Sequence, residues 1–192
     1  VGRAPGKINP ALLCAPCARF MTSSPPFTAS AASSEPADLF VRNTVRWLER
    51  AVIGLNLCPF AKGVHVKGQI HYVVALTEDL TEVQALLRSE LSALVATPAE
   101  TRDTTLLILP HCLQDFLDFN DFLGDAEALL EAMELDGTLQ IASFHPHFQF
   151  AGTDVDDVTN CTNRSPYPTL HLLREESIDR AVEVFPEAET IF

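Results

Sequence analysis

Short apolar strands alternate with long amphipathic helices along this chain, and this alternation constrains its fold more than any other feature. β-Branched and aromatic residues indicate strands at 69–76 (QIHYVVAL), 104–109 (TTLLIL) and 139–144 (LQIASF). The segments between them, 78–95 and 113–135, repeat apolar residues every three or four positions, which is typical of helices buried on one side. The order β-α-β-α-β predicts an α/β fold in which at least some strands are parallel.

Further elements flank this core. Residues 38–55 repeat apolar positions at helical spacing and stop before Cys58-Pro59, because a residue that precedes proline disfavours helical backbone. Thr169–Leu173 indicates a fourth strand, and 178–185 indicates a last helix. We therefore expect a single globular domain at 38–192, α/β with α+β as the alternative. It would be a two- or three-layer sandwich of about four mixed, partly parallel strands with flanking helices.

Local residues predict where the helices begin and break. Thr77 is a suitable N-cap for the helix at 78–95, and Ser177 for the helix at 178–185. Gly124 can divide the helix at 113–135, and two glycines at 63 and 68 indicate coil before the first strand.

Composition and charge exclude several classes of protein. The chain of 192 residues is 47% hydrophobic and 20% charged, as expected for a soluble globular protein. It contains no apolar run long enough for a membrane helix. The formal net charge of −13 repels phosphate backbones, so we expect no nucleic-acid partner, although a small anionic ligand remains compatible. Five scattered cysteines favour a reducing compartment over a disulfide framework.

Residues 1–37 are rich in alanine, serine and proline and contain no acidic residue before Glu35. Two interpretations are open: a disordered leader, or an organellar transit peptide, which is basic and poor in acidic residues. The expected location is accordingly the cytoplasm, or a mitochondrion or plastid if the segment is a transit peptide. Cys14 and Cys17 have redox spacing but lack the flanking strand and helix of a redox motif.

The stretch 143–174 is the densest in chemically capable side chains. Several prolines interrupt it, so most of it is expected to be loop, and a long polar loop between apolar strands is more typical of a site than of a spacer. His145 follows the third strand and His111 the second. If these strands are parallel, both histidines lie at one edge of the sheet, where ligands of α/β proteins bind. Either histidine is suited to general acid–base chemistry.

Arg164 is the only basic residue between Arg102 and Arg174. A lone guanidinium in an acidic domain is either paired with a carboxylate or reserved for an anionic ligand, and the sequence leaves both alternatives open. The candidate ligand-binding residues are those of this turn and the strand behind it: Asn163, Arg164, Ser165, Tyr167, His171 and Arg174.

Two further patterns are weaker. Cys58 is a candidate nucleophile if a histidine approaches it, and a buried structural cysteine otherwise. His145 and His147 are spaced so that both can point to one metal, but this spacing alone indicates little. The aspartates at 154, 156 and 157 lack the glycine and closing glutamate of an EF-hand. We assign no metal ligand and no cofactor.

Several motifs together resemble a known family: 42–62 (RNTVRWLERAVIGLNLCPFAK), 103–111 (DTTLLILPH), 115–123 (DFLDFNDFL), 143–153 (SFHPHFQFAGT) and 162–175 (TNRSPYPTLHLLRE). They resemble the bacterial family called domain of unknown function 1415, from about Val41 to the end of the chain. The resemblance implies a small α/β protein without an established activity. It also implies a further C-terminal helix beyond this sequence, and an organelle-targeted protein if the leader is native. The residues at family-motif positions are Cys58, Lys62, His111, Asp118, Asn120, Asp121, His145, Asn163, Arg164, Tyr167, His171 and Arg174.

These features lead to two hypotheses of function. The first is a small-molecule enzyme with a polar pocket at the strand ends, in which His145, His111 and Cys58 are the catalytic candidates. Arg164 with Asn163 would hold an anionic group. The second is a non-catalytic module that binds a ligand or another protein. The enzyme hypothesis requires His145, Arg164 and either His111 or Cys58 to converge on one pocket. The oligomeric state is not indicated.

Overall fold

The structure, a computed structural model, describes residues 36–184. Nearly all of the leader predicted at 1–37 lies outside these residues, and so does 185–192. None of the helices in the described range is long and apolar enough to cross a membrane. The elements in chain order are α1 (Pro36–Trp47) with a π-helical extension (Leu48–Ile53), α2 (Ala61–Val66), β1 (Ile70–Val74), α3 (Leu80–Ala96), β2 (Thr104–Ile108), α4 (Phe116–Ala132), β3 (Leu139–Phe144), a 3₁₀ helix (Val158–Asn163), β4 (Thr169–Arg174) and α5 (Glu175–Val184).

The four strands form one mixed sheet in the order β1-β2-β4-β3. β1 and β2 are parallel, and β4 runs antiparallel to both of its neighbours, β2 and β3. β1, β2 and β3 therefore point in the same direction, and their carboxyl ends lie at one edge of the sheet, which we call the rim. The predicted α/β fold with four mixed, partly parallel strands is confirmed. The topology also brings the segments that carry His111 and His145 to the same rim, as the sequence predicted.

Helices cover both faces of the sheet. α3 and α4 pack on the face that carries Leu107, Leu170 and Leu172, and together they form the main hydrophobic core. The opposite face carries Leu106, Phe144 and His171, because side chains alternate between faces along a strand. α1 covers part of this second face, where it contacts β1 and where the Trp47 ring packs against Phe144 at 5.4 Å. The result is a three-layer sandwich with α1 on one side and α3 and α4 on the other.

The helix ends depend on caps that the sequence predicted only in part. Asp79 caps α3 by accepting the Thr81 N–H at 2.8 Å, and Asp115 caps α4 by accepting the N–H groups of the next turn. The prediction that Thr77 is the N-cap is wrong. Its hydroxyl accepts the N–H of Asp79, the residue that caps the helix, at 3.1 Å. Ser177 is not a cap either. α5 starts at Glu175, directly after β4, and the Ser177 hydroxyl donates to Asp103 at 2.5 Å.

Two short helices were not predicted. α2 includes Gly63, in a segment expected to be coil, and the 3₁₀ helix lies inside the long loop before β4. Each has only six residues, too few for an apolar periodicity to show in the sequence. Conversely, Gly124 does not interrupt α4.

Candidate functional site

His145 lies at the rim on the α4 side of the sheet and is fully buried, with 0% of its surface exposed. Its ring packs between Phe116 and Phe119, at centroid distances of 5.3 and 5.1 Å. Nε2 donates to the Leu113 carbonyl at 3.1 Å, and Nδ1 accepts the His147 N–H at 3.0 Å. Burial lowers the pKa of His145, which keeps the ring neutral. Both nitrogens are therefore engaged by backbone groups, and this geometry is that of a structural histidine that fixes the start of the loop.

Arg164 also stabilises the loop. Its Nη2 donates to the Val155 carbonyl at 2.7 Å and its Nε to the Phe148 carbonyl at 3.3 Å, while its own carbonyl accepts the Trp47 indole N–H at 2.9 Å. It makes no ion pair with any residue in 36–184. The guanidinium therefore lacks the carboxylate partner of the first predicted form, since its described partners are backbone carbonyls, and the anionic ligand of the second form stays a prediction.

Two other members of the predicted ligand-binding turn bond to backbone groups. Asn163 donates its amide N–H to the Ser143 carbonyl at 3.1 Å, which ties the loop to the end of β3. Ser165 is buried and donates its hydroxyl to the Tyr167 carbonyl at 2.6 Å. These two side chains hold the turn in shape.

Cys58 lies between the π-helical extension and α2 in the chain. Burial raises the pKa of its thiol, and the smaller, opposite effect of the backbone N–H groups of Phe60 and Ala61 does not offset it. The thiolate is the nucleophilic form of cysteine, so these surroundings disfavour nucleophilic catalysis.

His171 points to the α1 face of the sheet. Its Nε2 lies 2.6 Å from the Thr104 hydroxyl, which itself donates to the Leu172 carbonyl at 2.7 Å. The hydroxyl has one proton, so the ring must be the donor in the first bond. Burial lowers the pKa of His171 to about 4. The ring is therefore neutral at pH 7 and fixed by the sheet.

Arg174 lies at the edge of the sheet opposite the rim. Its Nη2 donates to the carbonyls of Leu94, Thr97 and Arg102, two of which belong to the C-terminal end of α3. It lines an open cleft of about 430 Å³ together with Glu100, Glu176, Arg180 and the end of α3. Because helix C-termini carry partial negative charge, they already neutralise this guanidinium in part. The cleft lies at the edge of the sheet opposite the rim, away from His111 and His145.

Two of the predicted site residues, His111 and Tyr167, contact the same residue of α1 at the rim. The Phe40 ring contacts His111 edge-on at 5.4 Å and Tyr167 edge-on at 5.0 Å. One helical turn later, Asn43 donates its amide N–H to the Tyr167 hydroxyl oxygen at 2.8 Å. We call Phe40, Asn43, His111 and Tyr167 the rim cluster. Among these residues, His111 and Tyr167 were predicted from the sequence, whereas Phe40 and Asn43 were not. The sequence did contain a signal for Asn43, because a polar residue among the inward-facing apolar positions of a helix indicates a buried polar contact.

The rim cluster retains unused hydrogen-bonding capacity. His111 is exposed, and its ring forms no hydrogen bond or ion pair within the described part of the chain. The Tyr167 hydroxyl accepts from Asn43, and no described residue accepts its proton. The rim cluster therefore contains an imidazole and a phenol proton without a hydrogen-bond partner among the described residues, and both rings contact Phe40.

The two histidines predicted to be catalytic pack against different helices. His145 packs against α4 on one side of the sheet, whereas His111 packs against α1 on the other side, and Arg164 is bonded into the loop. Within residues 36–184, no group of three or more histidine, cysteine, aspartate or glutamate side chains is arranged to hold a metal ion.

Fold and site together define an α/β sandwich with a histidine–tyrosine cluster at the carboxyl ends of its parallel strands. The chain belongs to the family described as "Protein of unknown function (DUF1415)", whose profile matches residues 40–192. The match confirms the family indicated by the sequence motifs. Neither the curated proteins nor the solved structures contain a significant match to the chain.

Proposed function

We propose that this chain is a small-molecule-binding module whose ligand lies on the rim cluster. The observation that carries the proposal is the contact of His111 and Tyr167 with the same Phe40 ring, at 5.4 and 5.0 Å. Carboxyl ends of strands in open α/β sheets are where ligands of such folds bind. A free imidazole, a free phenol proton and an aromatic edge suit a small ligand with an acceptor group, such as a carboxylic acid.

The contacts that hold Tyr167 in place favour a binding site over the catalytic arrangement predicted from the sequence. Tyr167 is oriented by Asn43, and its segment is fixed by the Trp47 bond to the Arg164 carbonyl at 2.9 Å. The loop that contains Arg164 thus supports the binding surface from behind without contacting the ligand. Arg164 would act by positioning Tyr167, and this role replaces the anion anchor predicted from the sequence.

A catalytic version of the proposal uses the same residues. The exposed His111 ring favours it, because an exposed imidazole can transfer a proton to or from a bound ligand. In that version His111 is the acid or base, Tyr167 is a hydrogen-bond donor, and His145 and Cys58 take no part.

The proposal is tested with a panel of small aliphatic and aromatic carboxylic acids, measured by saturation-transfer NMR. We expect at least one acid to bind, and we expect Tyr167→Phe and His111→Ala each to weaken it roughly tenfold, since each loses one hydrogen bond to a charged group. His147→Ala is the matched control, because His147 is also exposed but lies outside the cluster. If no acid binds, or if both variants bind as well as the wild type, the proposal fails.

A further inference from the structure

The basic side chains of this acidic protein are distributed unevenly. Residues 42–67 contain five basic residues and one acidic residue, whereas residues 68–184 contain five basic and twenty-one acidic residues. In the second range Arg102 and Arg180 form ion pairs, and Arg164 and Arg174 bond to carbonyls. In the first range all five basic side chains are exposed, and none makes an ion pair with a described residue.

Three of these five residues form a row. Arg42 and Arg46 are four residues apart on α1, a rise of about 6 Å, and Arg50 follows four residues later on the π-helical extension. We call them the arginine row. The buried positions Thr44, Leu48 and Val52 are spaced in the same way on the opposite side of the helix. The row therefore points away from the sheet.

Helix α2 adds two lysines beside the row. His65 of α2 contacts Glu49 at 3.3 Å, which places the short helix against the π-helical extension. Lys62 and Lys67 flank His65 and are both exposed. Two apolar side chains in this region are exposed as well: Leu55 at 54% and Val66 at 75%. The surface is thus basic with apolar spots, in a domain whose remaining surface is acidic.

We propose that the arginine row is a docking surface for an acidic helical segment of a partner protein. Carboxylates four residues apart on a helix repeat at the same rise of about 6 Å as Arg42 and Arg46, so at least these two pairs can form in register. Guanidinium groups bind carboxylates through two parallel hydrogen bonds, which makes three unpaired arginines well suited to this partner. Leu55 and Val66 can contact the apolar side of the same segment.

Two other polyanions fit less well. A nucleic-acid duplex and an anionic membrane both extend far beyond three arginines, so they would also come close to the acidic residues of the same domain. The acidic Asp38 and Glu49 lie on the same exposed side of the helix as the arginine row, so they also repel an extended polyanion that runs along the helix. A short acidic segment has to place its carboxylates only beside the three arginines, which limits this repulsion.

The test uses the full chain and a fluorescent, helical alanine-based peptide with glutamate at every fourth position, measured by anisotropy at 50 mM salt. We expect saturable binding, weaker at 500 mM salt because exposed charges are screened. We expect the triple variant Arg42→Gln, Arg46→Gln, Arg50→Gln to weaken binding roughly tenfold or more, which corresponds to three exposed ion pairs. Glutamine keeps a good helix propensity, and a thermal melt checks that the variant is folded.

The controls separate the alternatives. Arg88→Gln removes an exposed arginine of α3 and is expected to leave the affinity within twofold. A peptide with glutamine in place of glutamate is expected not to bind. The proposal is overturned if the triple variant binds the peptide like the wild type, or if phosphatidylserine vesicles or duplex DNA bind the row more tightly than the peptide.

Discussion

Acidification below pH 6.5 is expected to destabilise the protein through His171. In the unfolded chain this imidazole binds a proton near pH 6.5, whereas in the folded chain burial lowers its pKa to about 4. Between these values the unfolded state binds more protons than the folded state, so the free energy of unfolding falls as the pH falls. Above pH 6.5 the ring is neutral in both states, and the stability does not depend on it.

The size of the effect follows from the difference in pKa. Each pH unit within this window costs about 1.4 kcal/mol for one histidine. Acidification from pH 6.5 to 4.5 therefore removes about 2–3 kcal/mol through His171, a large part of the 5–15 kcal/mol that typically stabilises a domain. His145 acts in the same direction, because burial also lowers its pKa.

Urea unfolding at pH 7 and pH 4.5 measures this difference, with the fluorescence of Trp47, the single tryptophan, as the probe. The wild type is compared with His171→Gln, which can still donate to Thr104 but cannot titrate. The variant is expected to lose about 2–3 kcal/mol less than the wild type on acidification, because the His145 effect is common to both. His147→Gln, an exposed control, is expected to keep the wild-type loss. Equal losses in wild type and His171→Gln would show that folding does not lower the pKa of His171.

Three further predictions concern packing, capping and thiol chemistry. Gly54→Ala is expected to destabilise the protein by roughly 1–3 kcal/mol in urea unfolding, since the new Cβ would lie 2.4 Å from the Arg50 carbonyl oxygen. Its control, Gly124→Ala in α4, meets nothing within 4 Å and is expected to stabilise by roughly 0.5–1 kcal/mol. Asp115→Ala is expected to cost about 1 kcal/mol in the same assay, because α4 loses its N-cap. Cys58 is expected to react with iodoacetamide more slowly than glutathione does at pH 7.5, by mass spectrometry, since burial raises its pKa; an equal rate would contradict this.

Much of the fold could be predicted because its strands and long helices carry periodic apolar patterns. All five residues of β2 are buried, as expected for a run without alternation. In the stripe predicted for α3, Val83, Leu87, Leu91 and Leu94 are buried, whereas Leu80 at the start of the helix is exposed. Caps were harder to predict. Thr77 and Asp79 are both good capping residues, and the backbone path after β1 decides between them.

The site could be predicted only as far as the rim. His111 and His145 both follow strands, so sequence order placed both at the correct edge of the sheet. Which face each ring takes depends on its neighbours in space: Phe40 of α1 for His111, and Phe116 and Phe119 of α4 for His145. No periodic pattern encodes these contacts.

Arg164 illustrates a second limit of prediction from sequence. The chain shows that no other basic residue lies near it in sequence, which suggested a carboxylate partner or an anionic ligand. Its actual partners are the carbonyls of Phe148 and Val155, and carbonyls are present at every position. Only the path of the loop determines which of them the guanidinium meets.

A ligand is expected to bind at His111 and Tyr167 and not at His145. The most direct measurement records the Cε1–H resonances of the histidines by ¹H–¹³C NMR while the tightest-binding carboxylic acid is added. We expect the His111 resonance to shift in proportion to occupancy and the His145 and His171 resonances to stay in place. A shift at His145 with His111 unchanged would place the ligand away from the rim cluster and overturn the proposed site.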